Sequence, residues 1–264
     1  MDEHTFVVCA YQESPYLEEC VLSLRRQSVP SHILISTATP NAHIQSIAER
    51  YGLEVRVNQG PRGIAEDWEF ALRQAETPYV TLAHQDDIYE PDYLAAVLKG
   101  LHGAEDPIIA FTDYFEVRGG EKVFADASAL LRVKRKLLSP LKSRWGSKSV
   151  WLRRRCLSLG NAICCPAVTY VMKRMPGQVF QPHFKSNVDW QTWERLSRYP
   201  GSFVYLPEPL MGHRVHAAST TSQVIGDGNG RTGEDYEMFR AFWPAPIARL
   251  LIRFYARSQN SNGS

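Results

Sequence analysis

Two adjacent carboxylates, Asp86 and Asp87, close the apolar run Tyr79-Val80-Thr81-Leu82 within PYVTLAHQDDIYEPDYL, residues 78–94. A buried strand that gives out into acids places them at the rim of a sheet, where open α/β folds bind ligands. Two hard oxygen donors side by side suit a divalent cation, Mg2+ or Mn2+, that also holds phosphates. The plainer alternative is an acidic turn capping the helix that follows, although Asp92 is better placed for that duty. Other residues that could do chemistry are spread along the chain. Asp189 opens DWQTWERLS, and His213, Arg214 and His216 lie in GHRVH. Strand alternation puts Arg214 and His216 on one side. Arg62 stands between Gly60 and Gly63, but no Gly-x-Gly-x-x-Gly occurs, so these glycines are not a dinucleotide fingerprint.

Elements that could position these groups follow from the apolar pattern. TFVVCA (5–10), HILIS (32–36), LEVRV (53–57), the run before Asp86 and PIIAF (107–111) read as strands. Helices fall between them. One starts at Ser14-Pro15 and carries Leu17, Val21 and Leu24. A second, with Ile44, Ile47 and Tyr51, stops at Gly52. Two more carry Trp68, Ala71 and Leu72, and then Leu94, Val97 and Leu101. Strand and helix alternating over 111 residues argue for a parallel sheet covered on both faces. After Asp113 the alternation stops. A hairpin turns at Gly119-Gly120, and basic helices over 129–158 break at Pro140 and Gly146. Residues 167–173 form a strand, 189–199 a helix, and 202–216 an extended stretch. GDGNG (226–230) reads as a flexible break before a final helical region, Glu234 to about Ser258, interrupted by Pro244 and Pro246. The polar tail to Ser264 reads as disordered.

The 264 residues are 44% hydrophobic and 22% charged, a globular composition with enough length for a large core. The net charge of +2 hides an asymmetry: no acidic residue lies between Asp126 and Asp189, where thirteen Lys and Arg residues do. The basic segment 132–155 and the amphipathic IARLLIRFYAR (247–257) leave two readings open, an anionic lipid surface or a solvated face. Aromatics do not cluster with the basic run in the manner of nucleic-acid binding. No secretory signal and no membrane-spanning run is expected. Cys9, Cys20, Cys156, Cys164 and Cys165, an odd count without Cys-x-x-Cys spacing, suit reduced thiols and a cytoplasmic location.

With HQDDIYEPDYL, the opening FVVCAYQESPYLEECVLSLRRQS, the Asn58-Gln59-Gly60 loop and Val188-Asp189-Trp190 in that chain order, the sequence resembles the inverting family 2 glycosyltransferases of the GT-A fold. The resemblance covers residues 5–220. It implies an α/β, Rossmann-like α/β/α sandwich with a mostly parallel central sheet. It also implies a catalytic domain over 1–225, with a nucleotide-sugar-binding half (1–113), an acceptor-binding half (114–225), and a C-terminal helical appendage with a flexible tail (226–264). The activity implied is metal-dependent transfer of a sugar from a nucleotide diphosphate, most simply a UDP-sugar, to a glycan or lipid-linked acceptor in surface polysaccharide synthesis.

By the same resemblance Asp87 is the direct Mg2+ or Mn2+ ligand, and Asp86 touches both ribose and metal. His216 supplies a third ligand and Arg214 closes over the diphosphate; a plain surface strand is the alternative for this pair. Nucleotide contacts fall to Ala10, Tyr11 and Glu13 of the first loop, and to Arg62 and Asp67. Where the family has an Asp-Asp-Gly-Ser-type loop, this chain has Ser36-Thr37-Ala38-Thr39-Pro40, which leaves Thr37. Tyr11 either stacks on the base or packs. Asp189 is the base that inversion requires, with a helix cap as its alternative. Trp190 and Trp193 form either a sugar-facing wall or core. Ser219, Thr220, Thr221 and the loop at Gly226 form a donor-binding lid. A nucleotidyltransferase is a second enzyme reading, disfavoured by AYQES after the first strand. A non-catalytic nucleotide- or glycan-binding scaffold is a third.

Overall fold

The computed structural model describes residues 3–216 and 229–260. Strands β1 (His4–Ala10), β2 (His32–Thr37), β3 (Glu54–Val57) and β4 (Tyr79–His84) alternate with helices α1 (Leu17–Arg25), α2 (Ala42–Tyr51) and α3 (Ile64–Arg73), as the apolar periodicity requires. Helix α2 shows how local signals set the boundaries. The Asn41 side chain accepts the Ile44 N–H at 2.9 Å, and Gly52 ends the helix at φ 62°, a backbone that a side chain would strain.

Beyond β4 come the short β5 (Ile88–Tyr89), α4 (Tyr93–Gly103), the long β6 (Pro107–Arg118) and its hairpin partner β7 (Glu121–Val123). Helices α5 (Ala129–Leu138), α6 (Arg144–Lys148) and α7 (Val150–Leu157) break at Pro140 and Ser149. Then follow β8 (Val168–Val171), α8 (Val188–Leu196), β9 (Ser202–Val215), α9 (Asn229–Phe242) and α10 (Ala245–Asn260). Of the expected break at 226–230, residues 226–228 lie outside the described residues and 229–230 already belong to α9. The expected lid residues Ser219, Thr220 and Thr221, and residues 261–264 of the tail, also lie outside.

The sheet is nine-stranded, in the order β3-β2-β1-β4-β8-β6-β9-β5, with β7 on the flank of β6. Strands β1, β2, β3, β4, β6 and β9 run one way; β5, β7 and β8 oppose them. Strand β8 inserts antiparallel between β4 and β6, so PIIAF begins a strand that continues to Arg118 without pairing with β4. The C-terminal ends of β1, β4 and β9 share one edge, where Ser14, Asp86 and His216 meet.

One core lies under α1, α2 and α4. The other holds Trp190, Trp193, Phe203, Met238, Phe239 and Ala248. The C-terminal helices, expected as an appendage, contribute Met238, Phe239 and Ala248 to this second core. Glu234 reinforces the join by accepting the N–H groups of Lys185, Ser186 and Asn187 ahead of α8.

Candidate active site

Asp86 and Asp87, though adjacent, sit in opposite environments. The Asp87 side chain is 2% exposed, and its Oδ1 accepts the Arg214 N–H at 2.9 Å and lies 3.3 Å from His213 Nδ1. His84 Nδ1 is 4.0 Å from Oδ2. The Asp86 side chain is 24% exposed. Its Oδ1 accepts the Ser14 hydroxyl at 2.7 Å, and its Oδ2 lies 3.1 Å from His216 Nε2. The outward carboxylate is therefore Asp86. Gly212 allows this arrangement, because a Cβ there would collide with Phe115 and Ile88, where β5 crosses β9.

The loop after β1 forms the second wall. Gln85 clamps the Tyr11 backbone from both sides, accepting its N–H at 3.0 Å and donating to its carbonyl at 2.9 Å. Gln12, at φ 54°, donates its N–H to Thr39 Oγ1 and receives Asn41 Nδ2 on its carbonyl. The short polar β2–α2 loop thus holds the first loop in a strained turn and leaves the Tyr11 ring exposed. His84 stacks on Trp68 of α3 at 5.0 Å. A cavity of about 730 Å³ lies beside this wall, lined by Asn58, Gly60, Glu66, Phe70, Phe180 and Pro182, and includes neither carboxylate of the pair.

Asp189 lies in the first turn of α8. Its Oδ2 accepts Asn161 Nδ2 at 2.6 Å and its Oδ1 the Trp190 N–H at 2.7 Å. Asn187 precedes the helix and donates its side chain to Asp235, so Asp189 is not the cap residue. Burial first, then the negative charges of Asp87 and Asp189, push the Cys164 thiol well up. Cys164 therefore lies within electrostatic reach of both Asp87 and Asp189.

The sequence profile of Glycosyl transferase family 2 matches residues 5–159. The chain belongs to this family. Solved structures agree on the fold of this glycosyltransferase. The S. aureus protein TarS, residues 1–349 in complex with UDP-GlcNAc, superposes with a TM-score of 0.62 at 14% identity, over 95% of this chain and 70% of that one. The mannosyltransferase PcManGT of Pyrobaculum calidifontis, in complex with GDP-Man and Mn2+, gives 0.62 at 15% identity, over 97% and 69%. Glucosyl-3-phosphoglycerate synthase of Mycobacterium tuberculosis, with Mn2+ and UDP-glucose, gives 0.58 at 15% identity, over 92% and 80%. A comparison with curated proteins finds no match. The GT-A architecture and the glycosyltransferase class are thereby established, and the nucleotidyltransferase and non-catalytic readings fall away.

Within this glycosyltransferase the geometry reassigns several expected residues. Asp87, expected as the direct metal ligand, is buried: its Oδ1 accepts the Arg214 N–H beside His213, while its Oδ2 has no hydrogen-bond partner among the described residues, and Asp86 is the more exposed of the pair. Arg214, expected to close over a diphosphate, is locked: Nε donates to the Asp86 carbonyl at 2.8 Å, Nη2 to Glu19 at 2.6 Å, and the guanidinium covers the Tyr16 ring. Thr37 is buried, and its hydroxyl accepts the Thr39 N–H, so it braces the loop. Ala10 is buried too and has only a methyl side chain. Trp190 and Trp193 are 0% exposed; the Trp190 indole donates to the Leu157 carbonyl and packs on Phe239 and Tyr255, so neither offers a face to an acceptor. Arg62 and Glu13 are exposed, and Asp67 holds Asn58 at 2.7 Å. Ser14, Gln85, Asn161 and Glu19 were not assigned site roles by sequence reasoning; Ser14 and Glu19 lie inside the opening motif and Gln85 inside HQDD, while Asn161 carried no local signal.

A divalent cation fits Asp86 and His216, a hard oxygen and an imidazole on one open edge. Among the described residues no three His, Cys, Asp or Glu converge as a cage, so phosphate and water oxygens would complete its shell.

Asp87 makes a separate, structural prediction. Burial would raise its carboxyl, but the imidazoles of His213 and His84 and the Arg214 N–H outweigh it and hold the group below the usual range. Burial would lower His213, but the charge of Asp87 holds it above its ordinary value. The Asp87 contribution is present above the unfolded carboxylate value and is lost as pH falls through the folded one. The His213 contribution is full below its unfolded value and is lost as pH rises through the folded one. Asp87→Asn should lower unfolding free energy by about 3 kcal/mol at roughly pH 6, and by less at roughly pH 9. Urea denaturation at both pH values reads this, and an equal loss at both would refute the ion pair.

Proposed function

We propose that this family 2 enzyme is a metal-dependent inverting glycosyltransferase. It moves a sugar from a nucleotide diphosphate, with a UDP-sugar the simplest donor, to a hydroxyl of a glycan or lipid-linked acceptor in surface polysaccharide synthesis. The observation that carries the reading is the outward Asp86 carboxylate held between Ser14 and His216, together with Asp189 held by Asn161 in the first turn of α8. The Mn2+ and nucleotide-sugar complexes of the structural neighbours support it.

Residues 1–113 bind the donor. The exposed Tyr11 ring faces the nucleobase, with Glu13, Arg62 and Asp67 around the nucleotide, and Asp86 and His216 hold Mg2+ or Mn2+. That cation, when bound, offsets the charge of the departing diphosphate. Residues 114–225 bind the acceptor. Asp189 takes the proton of the acceptor hydroxyl as its oxygen attacks the anomeric carbon opposite the diphosphate. The new C–O bond forms as the bond to the phosphate oxygen breaks, which inverts the centre. Asn161 fixes the rotamer of the base. Asp87 is assigned no acid role in departure, since it is buried and its carboxyl is held below the usual range.

Calorimetric titration of UDP and GDP with and without Mn2+ tests this reading. UDP affinity should rise at least about tenfold with Mn2+. Metal-indifferent binding would remove the cation from the scheme.

A further inference from the structure

The basic segment is not one uniform solvated face. Arg153 is buried and spends its guanidinium on the Tyr199 and Gly201 carbonyls. Arg154 binds Glu194 and the Ala241 carbonyl, Arg135 pairs with Asp113, and Lys134 donates to the Tyr114 hydroxyl. What remains outward is organised. Trp151, Arg155 and Leu159 follow one line along α7 and the turn that ends it; Trp151 is 64% exposed and Leu159 is also exposed.

The Arg155 guanidinium bridges this line to the start of α10, lying 5.8 Å from the Trp151 ring and 4.6 Å from the Trp243 ring. Trp243 Nε1 donates to the Ser158 carbonyl at 2.8 Å. Further along, Tyr255 of α10 packs against Gly160, where an added Cβ would meet its ring at 3.1 Å. Helix α10 therefore runs beside the end of α7. It turns Ala248, Leu251, Ile252 and Tyr255 to the core and leaves Ile247 and Leu250 outward, Leu250 53% exposed, near the exposed Arg249 and Arg253. Exposed Trp145 follows Arg144 on α6.

Two neighbouring helices thus present large apolar side chains among arginines, and neither α7 nor α10 contains an acidic residue. Tryptophan prefers the boundary between acyl chains and headgroups, while arginine binds phosphate there. No helix among the described residues is long and apolar enough to cross a membrane. We infer that the α7–α10 face docks this enzyme peripherally on an anionic lipid surface, with Trp151, Ile247 and Leu250 at the interface and Arg155, Arg249 and Arg253 on headgroup phosphates. The inference goes beyond the transfer reading and does not depend on donor or acceptor.

The test is co-sedimentation of the full chain with phosphatidylcholine vesicles and with vesicles containing phosphatidylglycerol. Binding should require phosphatidylglycerol and fall as NaCl is raised. It should weaken at least about tenfold in a Trp151→Glu, Leu250→Glu double variant whose thermal melt and UDP affinity match the parent. Because both side chains are exposed, the variant should fold; if it does not, Arg155→Gln with Arg249→Gln makes the same measurement through the charges. Equal binding to both vesicle types, or none, overturns the inference. So does a concentration-dependent dimer broken by the same substitutions, which would assign the face to a second copy of this chain. Retention on nucleic acid in place of vesicles overturns it as well.

Discussion

Asp86→Asn is expected to lower kcat/KM by about 10³-fold, equivalent to about 4 kcal/mol of transition-state stabilisation, and to abolish the Mn2+ dependence of UDP binding. The substitution is nearly isosteric. The Asn oxygen still accepts the Ser14 hydroxyl, so the turn after β4 keeps its shape. What disappears is the negative charge opposite His216, on the edge where a diphosphate would lie. The expected signature is therefore a large kinetic loss with an unchanged thermal melt, the reverse of Asp87→Asn. A variant that retains metal-dependent nucleotide binding would return the ligand role to Asp87 and refute the assignment made from their burial.

That distinction shows where sequence reading stops. The alternation of β1 to β4 with α1 to α3 was legible because β1 and β4, buried on both faces, are apolar runs, because the edge strand β3 alternates charged and apolar residues, and because Asn41 and Gly52 punctuate α2 chemically. The Asp pair was legible as a site for the same reason: acids at the end of such a run have only the sheet rim to occupy. Which of the two faces outward was not, because it depends on His213 and Arg214, more than a hundred residues away. Arg214 and His216 do share a side, as alternation required, and both reach Asp86. Only the structure shows Glu19 and Tyr16 holding the arginine away from a ligand. The insertion of β8 between β4 and β6 is likewise a long-range pairing without a local signature. Trp190 and Trp193 share a helical face that fits a sugar wall and a core equally well. The structure decides it: Phe239 and Tyr255 of the C-terminal helices cover Trp190, and Trp193 packs on Tyr170 of β8.

Asp189→Asn should reduce kcat by about 10³-fold, within the range general bases contribute, while leaving UDP affinity and thermal stability near the parent values. The amide keeps a hydrogen-bonding oxygen for Asn161 or the Trp190 N–H, and Trp190 stays in its core contacts. It cannot take a proton from an attacking hydroxyl. An aspartate carboxylate is a weak base, so orientation must carry much of its effect. Asn161 supplies that orientation at 2.6 Å. Asn161→Ala should lower kcat by about tenfold through a loosened rotamer, with little change in donor affinity. Its effect should vanish when Asp189 is already Asn, since a positioning residue has nothing left to position. Single-turnover measurements on the four proteins of this cycle decide the matter. Additive losses would make Asn161 an independent contributor. A kcat loss smaller than about tenfold in Asp189→Asn would take the proton-accepting role away from α8 altogether.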